Sequence, residues 1–123
     1  MHMNVLLKMI RTDFDVTEDP REFSDLTYEQ LIQMIEAISD PETEEEVEGY
    51  YVGVIDCTLP GSEVTDLIFW PNEWFRDSQM SEIDLNAQEI ANYLLAWSEK
   101  RLKGSEKVVF PEIPQSKREG RLT

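Results

Sequence analysis

The clearest apolar pattern in the chain predicts a helix that begins after Thr27. Thr27 and Gln30 have the spacing of a capping box, in which each side chain accepts a hydrogen bond from the other residue's amide. The segment Ser39-Asp40-Pro41 ends this helix, because the residue before a proline disfavours helical geometry. Apolar residues recur between these signals at i, i+3, i+4 and i+7, on one helical face: Leu31, Met34, Ile35 and Ile38.

The same signals predict another helix further along the chain. Asn86 and Glu89 form a second capping box, and an apolar face follows it. Basic residues and then Gly104 mark the predicted end, because cations and glycine favour helix C-termini. The inward face comprises Ala87, Ile90, Ala91, Leu94 and Trp97, and the basic residues are Lys100, Arg101 and Lys103.

Residues 43–58 carry a pattern that fits two structures. Thr43 and Glu46 have capping-box spacing, and an apolar stripe at helical spacing follows them. The β-branched and aromatic residues of Gly49–Ile55 suit a strand instead, and each glycine costs a helix about 1 kcal/mol. We predict a helix and keep the strand as the alternative. One face of that helix is acidic with an apolar centre: Glu45, Glu48, Gly49, Val52 and Asp56.

The stretch Val64–Pro71 combines apolar bulk, one acid and two adjacent aromatic residues. We predict a single helical turn that follows a Pro-Gly turn at Leu59–Glu63 and that Pro71 ends. Phe69 and Trp70 are neighbours and cannot both point inward from one turn, so at least one is predicted to be exposed. Asp66 either caps the turn or contacts a partner. The predicted core residues here are Leu67 and Ile68.

The segments after these helices are predicted to be irregular. Residues 72–85 are interpreted as a long loop that contains Trp74 and Phe75. Residues 105–123 contain two prolines and scattered charge, which predicts a loose tail. Within this tail, Val108–Phe110 can dock on the body.

The N-terminal region carries no clear signal. Val5–Ile10 fits either a short strand or a helical turn. The acids of residues 13–19 resemble the start of a calcium loop, but the required glycine and the closing glutamate are missing. We interpret them as a solvated connector. Residues 1–3 look like an expression leader, with Met3 as the natural start.

Composition and charge indicate an acidic single-domain protein. The chain has 123 residues, 41% hydrophobic residues and a formal net charge of −15 at pH 7. Between Thr12 and Glu99 only two bases oppose 23 acids, whereas from Lys100 onward seven bases accompany three acids. An acidic body lacks the Lys and Arg side chains that contact phosphates, so it does not bind nucleic acid. The charge favours a basic protein as the partner.

Cysteine and histidine usage argues against several kinds of site. Cys57 is the single cysteine, so no internal disulfide forms, and a reducing compartment, the cytoplasm, is expected. No apolar run approaches the length that spans a membrane. Apart from His2 in the leader there is no histidine for a nucleophilic pair or a zinc site. No carboxylate pair is singled out, and we predict no enzyme activity, no metal and no cofactor.

Residues 23–104 resemble the immunity proteins of DNase colicins and S-type pyocins. The most specific match is Pro60-Gly61 followed by Asp66–Pro71, which is similar to the family's Pro/Gly turn and Asp-Leu-Ile-Tyr-Tyr-Pro motif. The weaker matches occur in the family's order: Phe23–Thr27 and the stripe after it for the first helix, Glu44–Glu46 for the acidic second helix, and Ile90 and Trp97 for the fourth.

The resemblance implies an all-α fold, a distorted antiparallel four-helix bundle with a short third helix. It places an N-terminal extension at 1–22, the immunity-like domain at 23–104 and the tail at 105–123. It also implies an inhibitor of an HNH nuclease toxin that covers DNA-binding surface beside the toxin's active site. Carried over from the family's third and second helices, the anchors are Asp66, Phe69 and Trp70, and the specificity residues are Glu45, Glu48, Val52 and Asp56.

The chain departs from the family pattern in two places. Phe69-Trp70 replaces two tyrosines and so loses both hydroxyls, and the longer following loop adds Trp74 as a further candidate contact. We therefore expect a divergent nuclease, such as the toxin tip of a contact-dependent inhibition system. Two alternatives stay open: an acidic antitoxin or DNA mimic that acts on another basic protein, and a small α+β enzyme that uses carboxylates.

Overall fold

The regular structure of the chain is helical. The computed structural model describes residues 9–122, with side chains through residue 119. Within that part no strand is present, which confirms the all-α prediction; a single backbone bridge joins Thr27 and Lys103. Of the predicted segment Val5–Ile10, residues 5–8 lie outside the described residues. The elements are α1 (Tyr28–Ser39), α2 (Glu45–Thr58), α3 (Val64–Phe69), α4 (Pro71–Phe75), a 3-10 helix (Ser78–Glu82), α5 (Ala87–Ser98) and α6 (Gln115–Leu122).

α1 and α5 begin at the predicted capping boxes. The Thr27 hydroxyl accepts from the Gln30 amide at 3.1 Å, and the Gln30 side chain accepts from the Thr27 amide at 3.0 Å. Asn86 and Glu89 make the same reciprocal pair at 2.8 and 2.9 Å. Both predicted boxes are confirmed, so local side-chain chemistry sets where these two helices start.

The end of α5 differs from the prediction. The helix stops at Ser98, where Glu99 adopts the left-handed conformation with φ 56° and ψ 41°. Gly104, the predicted stop, has φ 99° in a later turn. The Lys100 ammonium donates to the Thr58 carbonyl at 3.1 Å and so ties the end of α5 to the end of α2. The stop prediction is wrong because a non-glycine residue takes the C-cap position that glycine usually fills.

α2 confirms the helical prediction for residues 45–58, and the strand alternative is wrong. The predicted capping box at Thr43 is also wrong, since the N-cap is Glu44 and it makes no side-chain cap hydrogen bond. Thr43 belongs to the turn after α1, where its amide donates to the Asp40 carbonyl at 3.1 Å. A Cβ atom built on Gly53 would lie 2.4 Å from the Cγ of Pro20. This glycine therefore lets the N-terminal segment pack closely on α2.

Pro71 both follows α3 and begins α4. Proline suits the first position of a helix, because its missing N–H would have no helical acceptor there. The predicted long loop at residues 72–85 is wrong, since it contains α4 and the 3-10 helix. Trp74 and Phe75 are fully buried and hold α4 on the core.

The two ends of the described chain also pack on the helices. Phe14 is buried, with its ring 4.9 Å from that of Phe23 and 5.6 Å from that of Tyr50. The expected loose tail is wrong for residues 115–122, which form α6. This helix is held on the rest of the fold, since the side chain of Lys117 is buried there. In the docking segment, Val108 and Phe110 pack against the core, whereas Val109 is 90% exposed.

Helix packing places α3 at a corner of the fold. α1 packs against α2 and α5, and α3 packs against α2, α4 and α5. α4 also contacts the 3-10 helix and α6. Among residues 9–122, no helix is long and apolar enough to cross a membrane.

Candidate partner-binding surface

The short helix α3 presents two aromatic side chains to solvent. Val64 and Leu67 face the core and are almost fully buried, and Ile68 is partly buried against it. Phe69 is 43% exposed and Trp70 is 60% exposed. A six-residue helix has one core-facing side, so the residues at its end and just beyond it fall outside that side. The sequence predicts that at least one of these two aromatic side chains is exposed, and in the structure both are.

An acidic groove of about 430 Å³ lies between α3 and the residues of α4 and the 3-10 helix. It contains four carboxylates and one guanidinium, so its charge favours a cation. Asp66 lies in the first turn of α3 and lines the groove. The lining residues are Glu63, Asp66, Asn72, Glu73, Arg76, Asp77 and Ser78.

Two of the groove residues have left-handed backbones. Glu63 precedes α3 with φ 56° and ψ 50°, and Arg76 follows α4 with φ 55° and ψ 45°. Residues other than glycine adopt this conformation infrequently, and each costs on the order of 1 kcal/mol. The groove is thus bounded by two strained positions that the surrounding packing must hold.

Trp74 is not part of the exposed surface. Its side chain is fully buried and its indole N–H donates to the Ser62 carbonyl at 2.7 Å. The rings of Phe75, Tyr93 and Trp97 lie around it at 4.9 to 6.0 Å between centroids. The prediction of Trp74 as a contact residue is wrong, because helix α4 turns it into the core.

The acidic face of α2 runs away from α3. Glu45 and Asp56 are exposed, whereas Glu48 and Val52 are partly buried. Although Asp56 is exposed as a whole, the surrounding protein partly desolvates its carboxylate, and this desolvation and the nearby Glu63 carboxylate raise its pKa above the usual 3.8. Asp56 thus lies within electrostatic reach of the groove. With a rise of 1.5 Å per residue, Glu45 lies about 16 Å further along the helix. Asp56 therefore joins the α3 surface, and Glu45 and Glu48 extend it.

The sequence does not predict most of the groove. Arg76 and Asp77 fall in the predicted loop at residues 72–85, although a proline such as Pro71 is a signal for a helix start. Glu63 falls at the end of the predicted Pro-Gly turn, and its own residue type does not indicate a left-handed backbone, which glycine normally supplies. Among the residues that the structure describes, no group of three or more His, Cys, Asp or Glu side chains is arranged to hold a metal ion.

The chain is similar to the uncharacterized protein YezA of Bacillus subtilis (strain 168). The two are 31% identical over 64 residues, a match that covers 94% of YezA and 52% of this chain. The chain belongs to the YezA family. The match to YezA takes in almost all of that protein and about half of this one, and it names no activity. No family model matches the chain, and no solved structure matches it.

Proposed function

We propose that the protein is an immunity-type inhibitor that binds a basic toxin domain through α3 and the adjoining acidic face of α2. The observation that carries this proposal is the exposed pair Phe69 and Trp70 beside the acidic groove. Exposed aromatic side chains leave apolar area in water, and burial against a partner recovers that area. The pair has the composition of a binding hot spot, in which a few large side chains dominate the affinity.

The charges around the aromatic pair favour a basic partner. Asp66 lies three residues before Phe69, and Asp56 stands where α2 meets α3. The formal net charge of −15 adds long-range attraction for a cationic domain. In this arrangement the acids speed association and the aromatic contacts slow dissociation.

The partner class follows from the resemblance to the colicin and pyocin immunity proteins. The contacts among α1, α2, α3 and α5 link these four helices in a ring, which supports a distorted four-helix bundle with a short third helix. The proposed partner is an HNH-type nuclease toxin domain, held in the cytoplasm of the producing cell. The acidic surface covers the DNA-binding face of the toxin and repels phosphate.

Calorimetric titration with the C-terminal domain of the toxin encoded beside this gene tests the proposal, with nuclease activity followed in parallel. We expect tight binding and loss of activity. Phe69→Ala and Trp70→Ala should each lower the affinity about 30-fold, which corresponds to about 2 kcal/mol for a hot-spot residue. Val109→Ala is the matched control, because it also removes an exposed apolar side chain but lies outside the surface. Unchanged affinity in both aromatic variants would refute the proposed surface.

The acidic face is tested by reversing charges. Glu45→Lys, Glu48→Lys and Asp56→Lys together should slow association and reduce the dependence of affinity on salt. The control reverses three exposed acids elsewhere, Glu29, Glu36 and Glu112, and so matches the change in net charge. Equal effects of the two triple variants would indicate steering by net charge alone. Inhibition of several unrelated basic DNA-binding proteins would favour a DNA mimic over an immunity protein.

A further inference from the structure

Lys117 is a buried cation in the last helix. Only 3% of the residue is exposed. Its ammonium nitrogen lies 2.8 Å from the Glu63 carboxylate and 4.3 and 4.7 Å from the ring centroids of Trp74 and Trp97. Removing an ammonium from water is costly, and the ion pair and the two aromatic faces offset that cost. The side chain therefore occupies a specific site on the body.

A second contact fixes the same end of α6. The Ser116 hydroxyl donates to the Phe75 carbonyl at 2.6 Å, at the C-terminal end of α4. The neighbouring Arg118 is exposed, and its guanidinium donates to the Gln115 side chain within the helix at 3.2 Å. Lys117 and Arg118 thus carry the same charge on one helix, but only Lys117 reaches the body.

The partner of Lys117 sits at the base of the aromatic-presenting helix. Glu63 is the left-handed residue immediately before α3 and lines the groove with Asp66. Its carbonyl accepts the amide of Leu67 at 3.2 Å, and the Asp66 carbonyl accepts the amide of Trp70 at 2.7 Å. A short helix that is preceded by a strained residue opens easily unless something outside the helix holds that residue.

We propose that Lys117 is a positioning residue that fixes Glu63 and thereby holds α3 in the geometry that exposes Phe69 and Trp70. The consequence for partner binding rests on the proposed function, whereas the effect on α3 does not. α6 therefore packs against α4 and stabilises the start of α3. Presentation of the aromatic pair accordingly requires α6.

Amide hydrogen exchange in the full-length free protein tests this role. Lys117→Met keeps the length of the side chain and removes its charge, and Lys117→Arg keeps the charge. In the Met variant we expect the Leu67 and Trp70 amides to exchange about tenfold faster, because the opening of α3 becomes easier, while the Leu31 amide of α1 is unchanged. The Arg variant should restore slow exchange, and Arg118→Ala is the matched control with the same loss of charge.

Three results would overturn the positioning role: unchanged exchange in α3, equal acceleration in α1 and α3, and an equal effect of Arg118→Ala. If Lys117→Met does not fold, Glu63→Gln decides, because it breaks the same ion pair at a residue that reaches solvent.

Titration with the toxin domain separates this proposal from the proposed function. Lys117→Met should weaken binding and Lys117→Arg should restore it. Toxin binding that is unaffected by Lys117→Met would overturn the link to presentation. A toxin domain that fails to bind the unmodified protein would refute the proposed function and leave the exchange result standing.

Discussion

The two glycines of α2 should respond in opposite directions to replacement by alanine. Gly49 and Gly53 lie one helical turn apart in the same helix, so alanine gains the same intrinsic helix stability at each, about 0.5–1 kcal/mol. A Cβ on Gly49 meets no atom within 4 Å. A Cβ on Gly53 meets the Cγ and Cβ of Pro20 at 2.4 and 2.6 Å. The substitutions therefore differ in one term, the packing of the N-terminal segment.

The size of that term follows from the overlap. Carbon atoms pack best about 3.5–4.0 Å apart, so the new methyl group must push the Pro20 ring away by about 1 Å. Overpacking of this kind costs about 1–3 kcal/mol. We expect Gly49→Ala to raise the free energy of unfolding by about 0.5–1 kcal/mol and Gly53→Ala to lower it by up to about 2.5 kcal/mol.

Urea unfolding followed by far-UV circular dichroism measures both variants, with the m-value checked for constancy. Pro20→Gly, made alone and in combination with Gly53→Ala, removes the ring that the methyl group displaces. The coupling between these two sites in a double-mutant cycle should then recover most of the packing cost. If Gly53→Ala stabilises the protein as much as Gly49→Ala does, the close packing of the N-terminal segment on α2 is refuted.

Two further predictions concern a helix cap and an acid. Thr27→Ala should lower the free energy of unfolding by about 1 kcal/mol through loss of the cap, and Thr43→Ala should change it by less than about 0.5 kcal/mol; equal losses in urea unfolding would contradict this. Because the folded state raises the pKa of Asp56, its ionised form destabilises the fold, and this cost vanishes as the pH falls below 3.8. Asp56→Asn should therefore stabilise the protein at about pH 7 and not at about pH 3, and an equal gain in the free energy of unfolding at both pH values would contradict this prediction.

Local signals predicted the parts of the fold that they alone determine. Capping boxes placed the starts of α1 and α5, because a hydrogen-bonded pair three residues apart needs no tertiary partner. The same spacing failed at Thr43, where the turn after α1 takes the residue and α2 begins two residues later. Gly104 does not end α5, because Glu99 already adopts the left-handed conformation at the C-cap, although residues other than glycine adopt it infrequently.

The candidate surface was predictable only in part. Asp66, Phe69 and Trp70 lie close together in sequence, so a single short helix keeps them together in space. The groove beside them is lined partly by residues of α4, and the same helix directs the Trp74 side chain into the core. Lys117 lies 54 residues from Glu63, and no local pattern links two residues at such a distance.

Several features that cost stability coincide at the corner where α2 meets α3. Two large aromatic side chains remain largely in water, Glu63 holds a left-handed backbone, and desolvation and the Glu63 carboxylate raise the pKa of Asp56. Elsewhere the described chain keeps its other aromatic residues at least partly buried. Strain and local inconsistency of this kind persist where function requires them, because a protein can compensate for them elsewhere. Their coincidence supports the proposed basic partner, which would bury the aromatic pair and place positive charge beside Asp56; Glu63 is already paired with Lys117.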